Sequence, residues 1–328
     1  TGPVTLDAAN TSLTTTNNAI TFAGDVVKGG GASNLTISAG SGNVSFNGLT
    51  GSSGDAIGDL AITSTGQTTL GNTMYAASVT KSGSGTTSIS ADRVQTSGAQ
   101  FYGGQMNLGN DVQLNSTGTG NITISGAVAN DTQHDLTVSA SGGDVALLGN
   151  LAIGTNARPS PIGDVSITAS GNVSLGSAAT PIQSYARSLS ITSGTTDVHA
   201  KTTGSFNCNG STVYGLCFTT GSSFGLTGAG TFDGPLSGAT SLTKSGTGTL
   251  ALTGANTYTG ATMVSAGTLA INGAGSLQGG NYAGNIAVDG HIEFNASVNH
   301  NLTGSITGTG WINSPGTGSL AINQSTDA

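Results

Sequence analysis

The chain has 328 residues, of which 55 are Gly, 7% charged and 5% aromatic, with a formal net charge of −8. A globular domain carries about 25% charged residues, so the wet surface here is written in Ser, Thr, Asn and Gly, and amphipathic helix is a poor reading anywhere. The lack of a basic cluster disfavours nucleic acid and anionic membrane surfaces, and no run approaches the roughly 18 consecutive apolar residues of a membrane helix.

Low charge and high Gly also fit disorder. Against that, 35% of the residues are hydrophobic, and Val, Ile and Leu fall in ordered alternation. The chain opens at Thr1-Gly2-Pro3 in mid-pattern, as expected of a piece of a longer protein. The first clear unit runs from Leu35 to Gly48: a short strand, a Gly42-Asn43 corner, then a second strand. Alternation turns Leu35, Ile37, Val44 and Phe46 inward and leaves Thr36, Ser38 and Ser45 to water. The corner takes residues that tolerate positive φ. The same template returns from Leu136 to Leu147, with Asp144 at the corner, and from Val165 to Gly176, with Asn172 there.

Between the last two, Asn150 to Pro161 breaks the pattern around Arg158-Pro159-Ser160-Pro161 and reads as an extruded loop. Lys201 to Ser223 breaks it again and holds both cysteines, Cys208 and Cys217. Beyond that junction the pattern tightens. Leu242 to Gly260 echoes itself at Gly267–Gly273 and again at Gly316–Asn323. Leu60 follows Leu35 by 25 positions, and Leu269 follows Leu250 by 19. Short strands repeating at that interval predict an all-β, parallel β-helix (β-solenoid) of about 19–25 residues per coil, roughly 14 coils in all.

The chemistry of catalysis is sparse. His134, His199, His291 and His300 stand without a neighbouring nucleophile motif and are expected on exposed turns. Asp144 and Asp164 each follow Gly and precede Val, as turn formers do, and Asp289 with Glu293 is the nearest approach to a carboxylate pair. The Gly-Gly-x-Gly-x-Asp calcium series is absent and two Cys without clustered His make no zinc site, so no metal and no cofactor are expected. Trp311, the single tryptophan, reads as a core or end residue.

Residues 242–272, with Lys244, Gly246, Gly248, Thr249, Leu250, Asn256, Tyr258 and Gly267 in place, resemble the passenger-associated repeat of autotransporters. Residues 311–323 resemble a degenerate second copy, with Asn313 where the Lys stands. Residues 1–200 are similar to the filamentous-haemagglutinin type of repeat, in units such as Val94–Gly103 followed by Leu108–Leu114. The resemblance implies a right-handed β-helix in three parts: haemagglutinin-like coils over 1–200, a stapled insertion over 201–223, and passenger-type coils over 224–328. It also implies secretion to the bacterial cell surface through an outer-membrane barrel, fused or separate, with no membrane insertion by this segment. The expected function is a non-enzymatic adhesin segment meeting a host receptor, a glycan or another rod. A bare stalk, a carbohydrate-active enzyme and an ice-binding solenoid are the alternatives. In an exported chain, Cys208 and Cys217 suit a disulfide, and Phe206, Tyr214 and Phe218 around it become candidate ligand contacts.

Overall fold

The computed structural model describes residues 2–130, 133–151, 162–176, 184–198, 206–208, 211–213, 216–218 and 223–323. Among them no α-helix occurs, and a single 3-10 turn lies at Gln278–Gly280. The strands stack in parallel as a β-solenoid of about 12 turns. Phe206–Cys208 and Ser211–Val213 form an antiparallel hairpin in a sheet of their own, outside the parallel stack.

The chain divides into two compact units, the first comprising Thr1–Thr155 and Ser166–Gly171, the second Asn156–Val165 and Asn172–Ala328. Over residues 2–151 of the first unit, partners in adjacent coils lie between 19 positions apart, as Thr68 with Thr87, and 25 apart, as Leu35 with Leu60. Register this constant turns single residues into columns. Phe22, Phe46, Leu70, Ile89 and Leu108 succeed one another down one inner face. Phe22 and Phe46 stack with ring centroids 4.7 Å apart and planes 13° from parallel. A second column runs Val44, Thr68, Thr87, Met106, Val128. Full burial of a Val, Leu, Ile or Phe side chain contributes about 1.5–3 kcal/mol, so the interior gains stability coil by coil.

The coils meet so closely that some positions admit no side chain. A Cβ on Gly126 would stand 1.8 Å from the Gly104 carbonyl oxygen of the coil before, and one on Gly149 would stand 2.2 Å from Gly126. These glycines form a column of their own, where backbone lies on backbone.

The second unit repeats the scheme. Leu242 pairs with Thr262 and then Ile286, and Leu250 with Leu269 and then Ile292. Leu252, Ile271 and Phe294 form the neighbouring inner column. The outward positions between them carry Thr, Ala, Met, Glu and Asn.

Candidate functional site

Lys244 lies in the strand Ser241–Ser245 on the inward phase set by Leu242. Its column neighbours are Leu226 on one side and Val264 on the other, and it is fully buried. The aliphatic stem packs as an apolar residue while the Nζ reaches the corner of the coil. There it donates to the carbonyls of Ser245 at 2.6 Å and Gly246 at 2.8 Å, and to Ala266 of the next coil at 3.5 Å. Gly246 has φ +75°, the left-handed conformation that makes the corner. Three carbonyl acceptors match the three protons of an ammonium group. Burial pushes the Lys244 pKa below the usual lysine range.

The first unit contains the same device. Lys81 lies between Ile62 and Tyr102 in an inner column and is buried. Its Nζ donates to the carbonyls of Gly83, Gly85 and, in the next coil, Gly103. Gly83 has φ +91°, in the place that Gly246 takes. The local strings are Thr80-Lys-Ser-Gly-Ser-Gly-Thr86 and Thr243-Lys-Ser-Gly-Thr-Gly-Thr249. The sequence reading noticed only the second. The signal was there, one line of identity that a search for the longer repeat passes over, because the strand after Thr86 reads Thr-Ser-Ile rather than Leu-Ala-Leu.

Elsewhere in the same coils lies a buried polar network. Asn256 Oδ1 accepts from the Leu236 backbone N–H at 3.0 Å, and its Nδ2 donates to the carbonyls of Gly254 at 2.9 Å and Ser276 at 3.1 Å. One side chain thereby ties three successive coils. Tyr282 donates its hydroxyl proton to the Gly260 carbonyl, 2.5 Å away. Each hydroxyl has one proton, so Thr262 donates to Tyr282 at 2.7 Å and Tyr258 to Thr262 at 2.6 Å. Burial, and secondarily the neighbouring Tyr282, push the Tyr258 pKa far above that of a free phenol.

The histidines depart from expectation. His300 is not on an exposed turn but in the strand His300–Leu302, 2% exposed, with its ring 4.7 Å from that of Phe294. Its Nε2 accepts the Leu277 backbone N–H at 3.3 Å, leaving Nδ1 to donate to the Val298 carbonyl at 3.0 Å. Burial lowers its pKa, against a smaller opposing effect of the Val298 carbonyl. His291 stands half-buried on a strand, not on a turn, and His134 lies 3.6 Å from Asp111. His199 lies outside the described residues. Trp311 is not core. Of the two places expected it takes the end, in the strand Trp311–Asn313 that among the described residues pairs only with His291–Ala296, and it points outward, 59% exposed.

Asp164 lies inside the strand Ile162–Ala169 rather than at a turn, and accepts the Ser188 hydroxyl. The corner residues Gly42, Asn43 and Asp144 do not adopt the positive φ expected there. Most acidic and amide turn residues share a different task. Asn17, Asp25, Asn34, Asn43, Asp111 and Asn121 each accept, through Oδ1, a backbone N–H from the following coil, at 2.8–2.9 Å. Asn285, Asp289 and Asn299 do the same in the second unit at 2.9–3.2 Å. Asp289 also takes the Thr309 hydroxyl, while Glu293 faces outward, so their side chains serve different places. Among the described residues no group of three His, Cys, Asp or Glu could hold a metal ion. The side chains of Phe206, Cys208, Cys217 and Phe218, and all of Tyr214, lie outside the described residues.

Residues 242–271, the strands and corner built around Lys244, match the family described as the passenger-associated-transport-repeat. Comparison with curated proteins and with solved structures gave no match.

Proposed function

We propose that this chain is a stalk segment of an autotransporter-type surface passenger, and that it takes part in adhesion. The observation that carries the reading is the passenger-associated repeat at 242–271, in a chain whose two units are each built of parallel, hydrogen-bonded β-coils. Coils of this kind support one another by nearest-neighbour contact, and a surface dominated by Ser, Thr and Asn suits contact with receptors, glycans or further copies rather than with membranes. An outer-membrane barrel, fused or separate, is its partner in export. No described helix is long and apolar enough to cross a membrane. The chain acts without catalysis on this reading, because carboxylates such as Asp25, Asp111 and Asp289 hold the backbone of the next coil. A Cys208–Cys217 disulfide would staple the hairpin segment, with Phe206, Tyr214 and Phe218 as contacts.

The test is attachment of beads coated with the purified chain to epithelial cells, to abiotic surfaces and to bacteria producing the same chain, beside a Cys208→Ser/Cys217→Ser variant. Attachment by the native chain supports adhesion, and its loss in the variant assigns it to the stapled segment. Failure of the folded chain on every surface reduces it to a spacer.

A further inference from the structure

The outer face of the last described coils in the second unit departs from the small polar covering found elsewhere. The strand His291–Ala296 sends Ile292, Phe294 and Ala296 inward and His291, Glu293 and Asn295 outward. Register sets Thr268, His291 and Trp311 in one outward column, Ala270, Glu293 and Asn313 in the next, and Asn272 with Asn295 in a third. Neighbouring strands lie about 4.8 Å apart and alternate residues along a strand roughly 6.7 Å apart, so the three columns make a patch a few sugar rings wide.

Trp311 is the most exposed of the large hydrophobic side chains here, at 59%. A neighbouring ring braces it. The His291 ring meets it edge-on, with centroids 4.2 Å apart and planes at 85°, so the indole presents surface without having to be ordered first. Beside it, in the next column, Ala270 is itself covered, and Glu293, Asn295 and Asn313 offer a carboxylate and two amides. The His291 imidazole aside, no basic side chain stands in these columns, and the chain carries a net charge of −8.

We infer that Trp311, His291, Glu293, Asn295 and Asn313 form a binding site for neutral, hexose-containing oligosaccharides. An exposed indole takes the apolar face of a pyranose ring. A carboxylate accepts hydroxyl protons in charge-assisted bonds, and amides both accept and donate, so together they orient the ring. Glu293 disfavours sialic and uronic acids, whose carboxylates it repels. Trp311 points away from the interior, so a coil stacked on the edge of its strand borders the patch without covering it. The proposal rests on the adhesive reading for its purpose, while binding itself is measurable on the isolated chain.

Trp311 is the only tryptophan, so its fluorescence reports on the site directly. Titration of the folded chain with neutral gluco-, galacto- and manno-oligosaccharides is expected to give a saturable change for at least one series. A glycan array read in parallel with the native chain and with Trp311→Ala is expected to lose that series in the variant. Trp311→Phe should retain part of the binding, and Glu293→Gln should weaken it about tenfold, the scale of one lost charge-assisted hydrogen bond. Circular dichroism of each variant establishes that it is folded. The proposal is overturned if no neutral glycan perturbs the fluorescence, if only acidic glycans bind, or if Trp311→Ala binds as the native chain does. It is also overturned if the fluorescence shifts with protein concentration alone and sedimentation shows a dimer, since a second copy then covers the patch. Cell attachment unaltered in Trp311→Ala, with glycan binding lost, separates this site from the adhesive reading and leaves the latter standing.

Discussion

Lys81 and Lys244 hold equivalent corners in two different units: each Nζ caps the carbonyl of the left-handed glycine two residues on and a carbonyl of the coil that follows. A residue type associated with solvent is here the part that closes a turn from the inside. The string Thr-Lys-Ser-Gly-x-Gly-Thr is therefore a structural device with a mechanism, which explains why its charged member sits in an apolar column.

Lys81→Met and Lys244→Met keep the stem and remove the donor, leaving inward-facing carbonyls without a partner. Each is expected to cost about 2–3 kcal/mol, the range for stranding buried polar groups. Equilibrium unfolding in urea measures the loss. Hydrogen exchange should rise first at the backbone around Gly83–Gly85 and Gly103 in one variant and around Gly246 and Ala266 in the other. Unchanged midpoints would mean that water satisfies these corners without the lysine.

Close approach of coils predicts a sharp contrast between two glycines. Gly126→Ala must move backbone, because the nearest atom is the carbonyl oxygen of Gly104, and a loss of more than about 3 kcal/mol is expected. Gly54 has open space around it and no positive φ, so Gly54→Ala should be neutral or stabilising by about 0.5 kcal/mol. Thermal unfolding of the two variants side by side gives the comparison.

The turn amides should fall into two classes. Asn121→Ala removes one bond, to the Asp144 N–H at 2.8 Å on an exposed corner, and is expected to cost about 1 kcal/mol, as loss of a helix N-cap does. Asn256→Ala removes three bonds in a buried setting, and about 3 kcal/mol is the expected scale. Asn121→Asp keeps the acceptor and should behave as the native residue. Equal costs for Asn121→Ala and Asn256→Ala would contradict the network described around Asn256.

His300 makes stability depend on pH. Its folded-state pKa lies below the unfolded value near 6.5, so the unfolded chain binds more protons as pH falls through that range. Stability from this residue is complete above about pH 6.5 and declines below it, towards the folded-state pKa. Protonation also converts Nε2 from acceptor to donor, setting it against the Leu277 N–H. Urea midpoints at pH 7.5 and pH 5 should show the decline, and His300→Gln should flatten it. A slope unchanged in that variant would assign the effect to other groups.

The phase of the alternation proved a better guide than residue type. Leu35, Ile37, Val44 and Phe46 are all fully buried, and Leu35–Leu60 and Leu250–Leu269 pair as their spacing predicts. Lys81 lies two positions after Val79, and His300 two before Leu302, so both carried the inward phase in the sequence. Residue type alone puts His300 on an exposed turn, against its phase, and carries no expectation for Lys81. Trp311 is the converse. Ile312 takes the inward place, so its neighbour must face out, a choice that the reading of Trp311 as a core or end residue left open. The corner bonds were not legible at all: nothing local tells that Asn43 reaches Gln67, since that partner is set by the length of the coil between them.

Those bonds also have a sense along the chain. From Asn17 to Asn121 in the first unit, and from Asn285 to Asn299 in the second, the earlier coil supplies the side-chain oxygen and the later coil the N–H. A cut on the C-terminal side of such a coil leaves a carboxamide or carboxylate, which hydrates readily. A cut on the N-terminal side leaves a bare backbone donor. The solenoid therefore has a grain, and trimming it from opposite directions leaves chemically different wounds.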